Sequence, residues 1–196
     1  MEPAEVIKDE VEKTNAGLRK LEFIFKTGGE EICARTKFID YETKELKATG
    51  ARIVFIPKEA LSNLLAPFAL EIGVPAKPTK YHELATDKAF SSLNGDFSVD
   101  LRDPENGKYG GGIPLSNGFG ALGLSGFKEP DDHLILATAM RECGLLTNSR
   151  VRDPQFQEAI NDWESALDSA GRAGFRYTND EIREWQRLCS DILMKY

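Results

Sequence analysis

The sequence predicts an α+β fold, an antiparallel sheet with helices packed on it, followed by a C-terminal helical hairpin. Three observations lead to this prediction. Short strand-like runs alternate with runs of helical spacing, Asn117-Gly118 stands between two strand-like runs, and residues 154–193 place apolar side chains at helical spacing. Asn-Gly in that position is the strongest short-range hairpin signal, because both central residues of a type I′ turn need positive φ.

The first part of the chain predicts one helix and one hairpin. Residues 3–19 are acidic at their start and carry their apolar residues near one face, which indicates a helix. Residues 21–38 alternate apolar and polar positions on either side of Gly28 and Gly29. That alternation predicts a β-hairpin with a glycine turn.

The next part predicts a strand and a kinked helix. Residues 51–56 are rich in β-branched side chains and end at Pro57, as a short strand does. Residues 58–72 then show apolar side chains at i, i+3, i+4, i+7 and i+11, which predicts a helix. Pro67 lies inside this run, so we expect a kink or a break there. An extended linker follows.

The middle of the chain predicts a helix, a short strand, the glycine-rich hairpin and a second helix. The first helix covers residues 81–93, and residues 97–101 alternate like a short strand. The hairpin falls within residues 109–126, which hold seven of the seventeen glycines. The second helix begins at Pro130 and ends at Cys143.

Residues after 148 change in character. Apolar side chains recur at helical spacing over residues 154–170, and Thr178-Asn-Asp-Glu181 forms a capping box before a second such run. We expect two helices that cover a sheet face or bind a partner. The chain of 196 residues thus divides into an α+β domain over residues 1–148 and a helical extension over residues 149–196.

Composition limits the classes of partner. The formal net charge of −7 argues against binding to nucleic acid and to anionic membrane surfaces, both of which attract cationic proteins. No apolar run approaches the 18 residues of a membrane span, and the acidic N-terminus lacks the features of a signal peptide. The sequence therefore predicts a cytoplasmic protein.

The three cysteines, Cys33, Cys143 and Cys189, are odd in number and far apart in the chain. No C-x-x-C motif occurs, so they build neither a zinc knuckle nor a thioredoxin-like site. We expect three free and mostly buried thiols. The two histidines, His82 and His133, are 51 positions apart, and no dedicated metal site is expected.

From Ala85 to Leu145 the chain resembles the GlcG/HbpS-like family of small profilin-like α/β domains, which includes haem-binding proteins. Three segments carry the resemblance. Residues 85–89 resemble the family's A-x-x-K-A helix, and residues 111–115 resemble its G-G-[IV]-P-[IL] strand. Residues 120–126, followed by Glu-Pro-Asp-Asp at 129–132, resemble its G-A-I-G-V-S-G strand and acidic helix start.

The resemblance implies a ligand-binding protein, with haem as a possible cofactor. The small residues of the helix and the glycine-rich hairpin would form the walls of a cleft for a flat aromatic ligand, in a protein that forms homo-oligomers. Close packing between the two walls is the more common use of such residues. The candidate ligand-binding residues are Ala85, Ala89, Gly111, Gly112, Ser125, Gly126, His82 and His133.

Two other functions are consistent with the same residues. The C-terminal helices could be the binding arm of a non-catalytic interaction module. An enzyme of the same fold could instead act on a small organic substrate, with His133 or Lys88 in proton transfer. A histidine in the first turns of a helix is most often exposed, so a surface position for His133 is the alternative to either role.

Overall fold

The α+β prediction is confirmed: a four-stranded antiparallel sheet carries α-helices on it. The computed structural model describes residues 3–35, 50–75, 77–96, 106, 110–127, 129–146 and 179–194. The helices described are α1 (Pro3–Arg35), α2 (Pro78–Ser92), α3 (Glu129–Glu142) and α4 (Asn179–Met194). The strands described are β1 (Gly50–Pro57), β2 (Phe68–Gly73), β3 (Gly112–Pro114) and β4 (Gly120–Ser125), and a short 3-10 helix spans Glu59–Leu61.

The strands lie in the order β2-β1-β4-β3, and every neighbouring pair is antiparallel. Val54 of β1 lies opposite Ala69 of β2 on one side and Gly123 of β4 on the other. Gly123 in turn lies opposite Gly112 of β3. Because side chains alternate between the faces of a sheet, these four residues share one face.

Helix α2 lies across that face, in contact with β1, β3 and β4. The opposite face carries the hydrophobic core. Its strand residues include Ile53, Phe55, Ile72 and Leu122, all fully buried. Helix α1 packs against β2, and α3 and α4 pack against each other and against α1. The sheet therefore separates a thin layer, made by α2, from the main core.

The predicted hairpin at residues 21–38 is wrong, because α1 continues through Arg35. Leu18, Leu21 and Phe25 are buried at helical spacing, and the core they join outweighs the cost of two glycines inside a helix. The glycines serve close packing instead. A Cβ atom on Gly28 would lie 2.2 Å from Cδ1 of Ile192 in α4.

The predicted helix over residues 58–72 is also wrong. It is replaced by the 3-10 helix at Glu59–Leu61 and by strand β2. The true period after Pro67 is two, because Leu70 and Ile72 are buried whereas Ala69 and Glu71 are exposed. The apolar spacing that indicated a helix joins residues of two different elements, and pairing with β1 decides the conformation.

The glycine-rich hairpin is confirmed as β3 and β4, although its turn differs from the predicted type. The Gly118 amide donates to the Leu115 carbonyl at 2.9 Å, which centres the turn on Ser116 and Asn117. Gly118 follows with φ of +72°. The connection is thus a longer loop around an ordinary turn, followed by one left-handed glycine.

The helices predicted around residues 81–93, 130–143 and after 178 are confirmed as α2, α3 and α4. The predicted strand at 97–101 and the predicted helix at 154–170 lie outside the described residues. Leu188, Cys189 and Ile192 of α4 are buried against α1 and α3. The division of the chain at residue 148 stays a prediction.

The cysteine prediction is confirmed, since Cys33, Cys143 and Cys189 are all free thiols and the last two are buried. Burial raises the pKa of both Cys143 and Cys189 to about 12, so both thiols are protonated at neutral pH. None of the helices in the described ranges combines the length and the apolar character needed to cross a bilayer.

Candidate functional site

A buried ion pair joins α2 to the start of α3. The Nζ atom of Lys88 donates to Oδ2 of Asp132 at 2.8 Å and to the carbonyl oxygen of Leu124 at 2.8 Å. Only 5% of the Lys88 surface is exposed. Lys88 lies among small buried residues on α2, and its ammonium group contacts the end of β4 and the first turn of α3. One side chain therefore connects three elements.

Asp132 holds the other end of this connection. Its Oδ1 atom accepts a hydrogen bond from the Phe127 amide at 3.0 Å, while Oδ2 binds Lys88. Burial raises the pKa of Asp132 to about 7, against the opposing effects of Lys88 and of the Phe127 amide. The carboxylate therefore fixes both the loop that leaves β4 and the first turn of α3.

His133 is buried beside this pair rather than exposed at the surface. Its exposed fraction is 1%. Burial, and then the charge of Lys88, lowers the pKa of the imidazole to about 4. The imidazole is therefore neutral at physiological pH, which is the form that binds metal ions and haem iron.

The buried imidazole makes stability depend on pH. Between pH 6.5 and pH 4, His133 binds a proton in the unfolded chain but stays neutral in the folded protein, so the wild-type protein loses stability as the pH falls. In His133→Asn this loss is absent. We expect the wild-type advantage in free energy of unfolding to shrink by about 2 kcal/mol from pH 7 to pH 5, as measured by urea denaturation.

The titration of Asp132 has the opposite effect on stability over a similar pH range, because its raised pKa makes the folded protein bind the proton more readily than the unfolded chain. Asp132 is present in both proteins, so its contribution cancels in the difference between their stabilities. Parallel stability curves for the wild-type protein and His133→Asn between pH 7 and pH 5 would show that His133 is not held neutral by the fold.

The two walls of small residues are in direct contact. Ala85 and Ala89 are fully buried against the hairpin. A Cβ atom on Gly123 would lie 1.9 Å from the Ala85 carbonyl oxygen, and one on Gly112 would lie 2.1 Å from that of Lys88. The predicted cleft for a flat ligand between Ala85, Ala89 and the glycine-rich strands is therefore filled by the backbone of α2.

The remaining candidates lie at the end of β4 or on the opposite side of α2. Gly111 adopts φ of +108°, and a Cβ atom there would lie 3.1 Å from Nζ of Lys88. Ser125 is buried in the last position of β4, and Gly126 follows with φ of +139°. His82, in contrast, is exposed in the first half of α2.

The structure therefore gathers Lys88, Gly111, Asp132 and His133 at one place, the junction of α2, β4 and α3. Tyr81 is half-buried and lies on α2 two helical turns before Lys88, and burial, followed by the charge of Asp132, raises the pKa of its hydroxyl. We refer to Tyr81, Lys88, Asp132 and His133 as the junction cluster. Its members combine a cation, a carboxyl group, a neutral imidazole and a half-buried phenol.

Reasoning from the sequence missed Asp132 as a site residue, because an acidic residue in the first turn of a helix is explained by the helix dipole alone. One signal was available. Lys88 stands among Ala85, Ala89 and Ser92 on the buried face of α2, and a lysine on such a face requires a buried anionic partner.

Two other kinds of site were sought among the described residues, a surface recess and a cluster of metal-binding side chains. A surface recess of about 240 Å³ lies between α1, the hairpin loop and the end of α3, and none of the predicted ligand-binding residues lines it. Within the described ranges, no three His, Cys, Asp or Glu side chains gather as metal ligands would. The junction cluster is therefore the candidate functional site of the described residues.

Comparison of the chain with protein-family models, with curated proteins and with solved structures finds no match.

Proposed function

We propose that this protein binds a small molecule, in the manner of the GlcG/HbpS-like family, and that the ligand is recognised at the junction cluster. The observation that carries the proposal is the burial of Lys88, Asp132 and His133 together at the end of the glycine-rich strand. A flat aromatic molecule such as haem is the class of ligand that we would test first.

The cost of the cluster supports the proposal. Removing a lysine and an aspartate from water costs several kcal/mol for each ion, and apolar residues of similar volume often stabilise a protein equally well. Ionisable groups with strongly shifted pKa values are concentrated at functional sites for this reason. Asp132 and His133 are adjacent, and their pKa values shift in opposite senses from their ordinary values.

The arrangement of the three resembling segments also supports the proposal. The A-x-x-K-A helix contributes Lys88, the G-G-I-P-L segment contributes Gly111, and the acidic helix start contributes Asp132. Lys88, Gly111 and Asp132 are neighbours in space, although more than 20 positions of sequence separate each of them from the next. The segments that resemble the family thus converge on the proposed site.

The form of His133 supports haem as the first ligand to test. A neutral imidazole is available to bind iron without losing a proton. Because His133 is enclosed, its binding to iron requires the first turn of α3 to open, whereas His82 is exposed already. The two histidines therefore predict different kinetics, slow binding for His133 and rapid binding for His82.

The test is titration of the purified protein with haem, followed by the shift of the Soret band. We expect saturation at micromolar haem in the wild-type protein, loss of the shift in His133→Asn, and retention in His82→Asn. Far-UV circular dichroism establishes that each variant is folded. An absent shift would exclude haem binding, and a shift that survives replacement of both histidines would exclude ligation of haem iron by His133 or His82.

The alternative functions have less support in the described residues. Leu188, Cys189 and Ile192 of α4 are buried against α1 and α3, so this part of the helix does not present a free binding face. Lys88 is engaged by Asp132 and by the Leu124 carbonyl, which leaves it poorly placed to take a proton from a substrate.

A further inference from the structure

Strand β2 lies at one edge of the sheet. It pairs with β1 along its whole length, from Phe68 to Gly73, and β1 is its only partner among the described strands. Along the other side of β2, the backbone N–H and C=O groups are not used by any described strand. Such a row of groups is a template for pairing with another chain.

The core holds β2 in an extended conformation. Leu70 and Ile72 are buried, and α1 packs against this face at Gly29, where a Cβ atom would lie 3.6 Å from Cγ2 of Ile72. On the opposite face Ala69 and Glu71 are exposed, because α2 lies over β1, β3 and β4. The edge strand is therefore packed against the core on one face and exposed to solvent on the other.

Two common protections of an edge strand are missing from β2. The strand contains no lysine and no proline, which commonly prevent edges from pairing. Its single charge, on Glu71, is matched within the subunit by Arg52 at 2.6 Å. The residue after the strand, Val74, is 78% exposed and extends the apolar character of this edge.

We propose that a second copy of this chain pairs antiparallel with β2, so that two four-stranded sheets form one continuous sheet. The sequence of the strand is self-complementary about Leu70. When two copies of β2 pair antiparallel with Leu70 at the centre, each Leu70 lies opposite the Leu70 of the other copy. Ala69 of one copy then lies opposite Glu71 of the other. No like charges oppose each other, and the two-fold symmetry closes the assembly at a dimer.

The test uses the mass of the native protein at a series of concentrations, by analytical ultracentrifugation. We expect a dimer for the wild-type protein, and dissociation in Ala69→Glu, where a second carboxylate would oppose Glu71 of the other copy. The expected increase in the dimer dissociation constant is about tenfold or more. Ala69→Gln, which adds a side chain of similar size without a charge, should remain a dimer.

Two comparisons keep the result specific. Ala60→Glu adds the same side chain at an exposed position on the 3-10 helix, outside the strand, and should leave the dimer intact. Hydrogen exchange of the β2 amides should become faster on dilution. A monomeric wild-type protein, equal dissociation in Ala60→Glu and Ala69→Glu, or protection of β2 that does not change on dilution would each overturn the proposal.

Discussion

Replacement of Lys88 by methionine is expected to destabilise the protein by about 3–5 kcal/mol, the loss typical when one partner of a buried ion pair is removed. Methionine fills much of the same space, so the loss comes from the carboxylate of Asp132. That carboxylate would remain buried with only the Phe127 amide as a hydrogen-bond donor. Urea denaturation followed by circular dichroism measures the effect.

A double variant separates the ion pair from its surroundings. Lys88→Met with Asp132→Asn removes both charges and keeps an oxygen to accept the Phe127 amide, so we expect most of the stability to return. A double variant as unstable as Lys88→Met alone would show that the packing of the lysine side chain, rather than its charge, is what the fold requires.

The pH dependence of the single variant provides a second check. Burial already raises the pKa of Asp132 to about 7, and loss of Lys88 removes a group that lowers it. A carboxyl group whose pKa is raised in the folded protein costs stability as the pH rises above its unfolded value. The deficit of Lys88→Met should therefore be smaller at pH 5 than at pH 8.

Local sequence signals predicted the elements whose conformation depends on neighbouring residues. The hairpin around Asn117 and Gly118, helix α3 and the start of α4 each carry a turn or capping signal of their own. Strand β1 is likewise bounded by Gly50 and Pro57. In these segments the local preference and the tertiary packing favour the same conformation.

The wrong predictions fall where tertiary contacts override a local pattern. Gly28 and Gly29 look like a turn, but they allow Ile192 of α4 and strand β2 to approach α1 closely. The apolar spacing of residues 58–72 looks helical, but the segment is divided by Pro67 and its second part is extended by pairing with β1. Neither contact can be seen in a window of neighbouring residues.

The candidate site was predicted in part for a similar reason. Lys88, Gly111 and His133 stand out by their residue types and motifs. The partnership of Lys88 with Asp132 spans 44 positions, and the burial of His133 depends on the path of α3. The small residues of α2 and of the glycine-rich strands face each other, but the distance between them was not available from the sequence.

Gly123→Ala tests whether α2 rests directly on the sheet. The added Cβ atom would lie 1.9 Å from the Ala85 carbonyl oxygen and 2.9 Å from the Ala89 amide nitrogen. Both are backbone atoms, so a rotamer change cannot relieve the overlap and α2 must move away from β4. We expect a loss of about 3 kcal/mol or more in the free energy of unfolding.

Gly29→Ala is the matched control, because the same methyl group enters a different environment. Its Cβ atom would have no neighbour closer than 3.6 Å, and Gly29 lies inside α1. Alanine is the better helix former, so this variant should gain about 0.5–1 kcal/mol. If Gly123→Ala were as stable as Gly29→Ala, α2 would not lie in contact with the sheet, and the cleft between Ala85, Ala89 and the hairpin would be open to a flat ligand. If only Gly123→Ala loses stability, α2 rests directly on the sheet, and a ligand site is to be sought at the junction of α2, β4 and α3 instead.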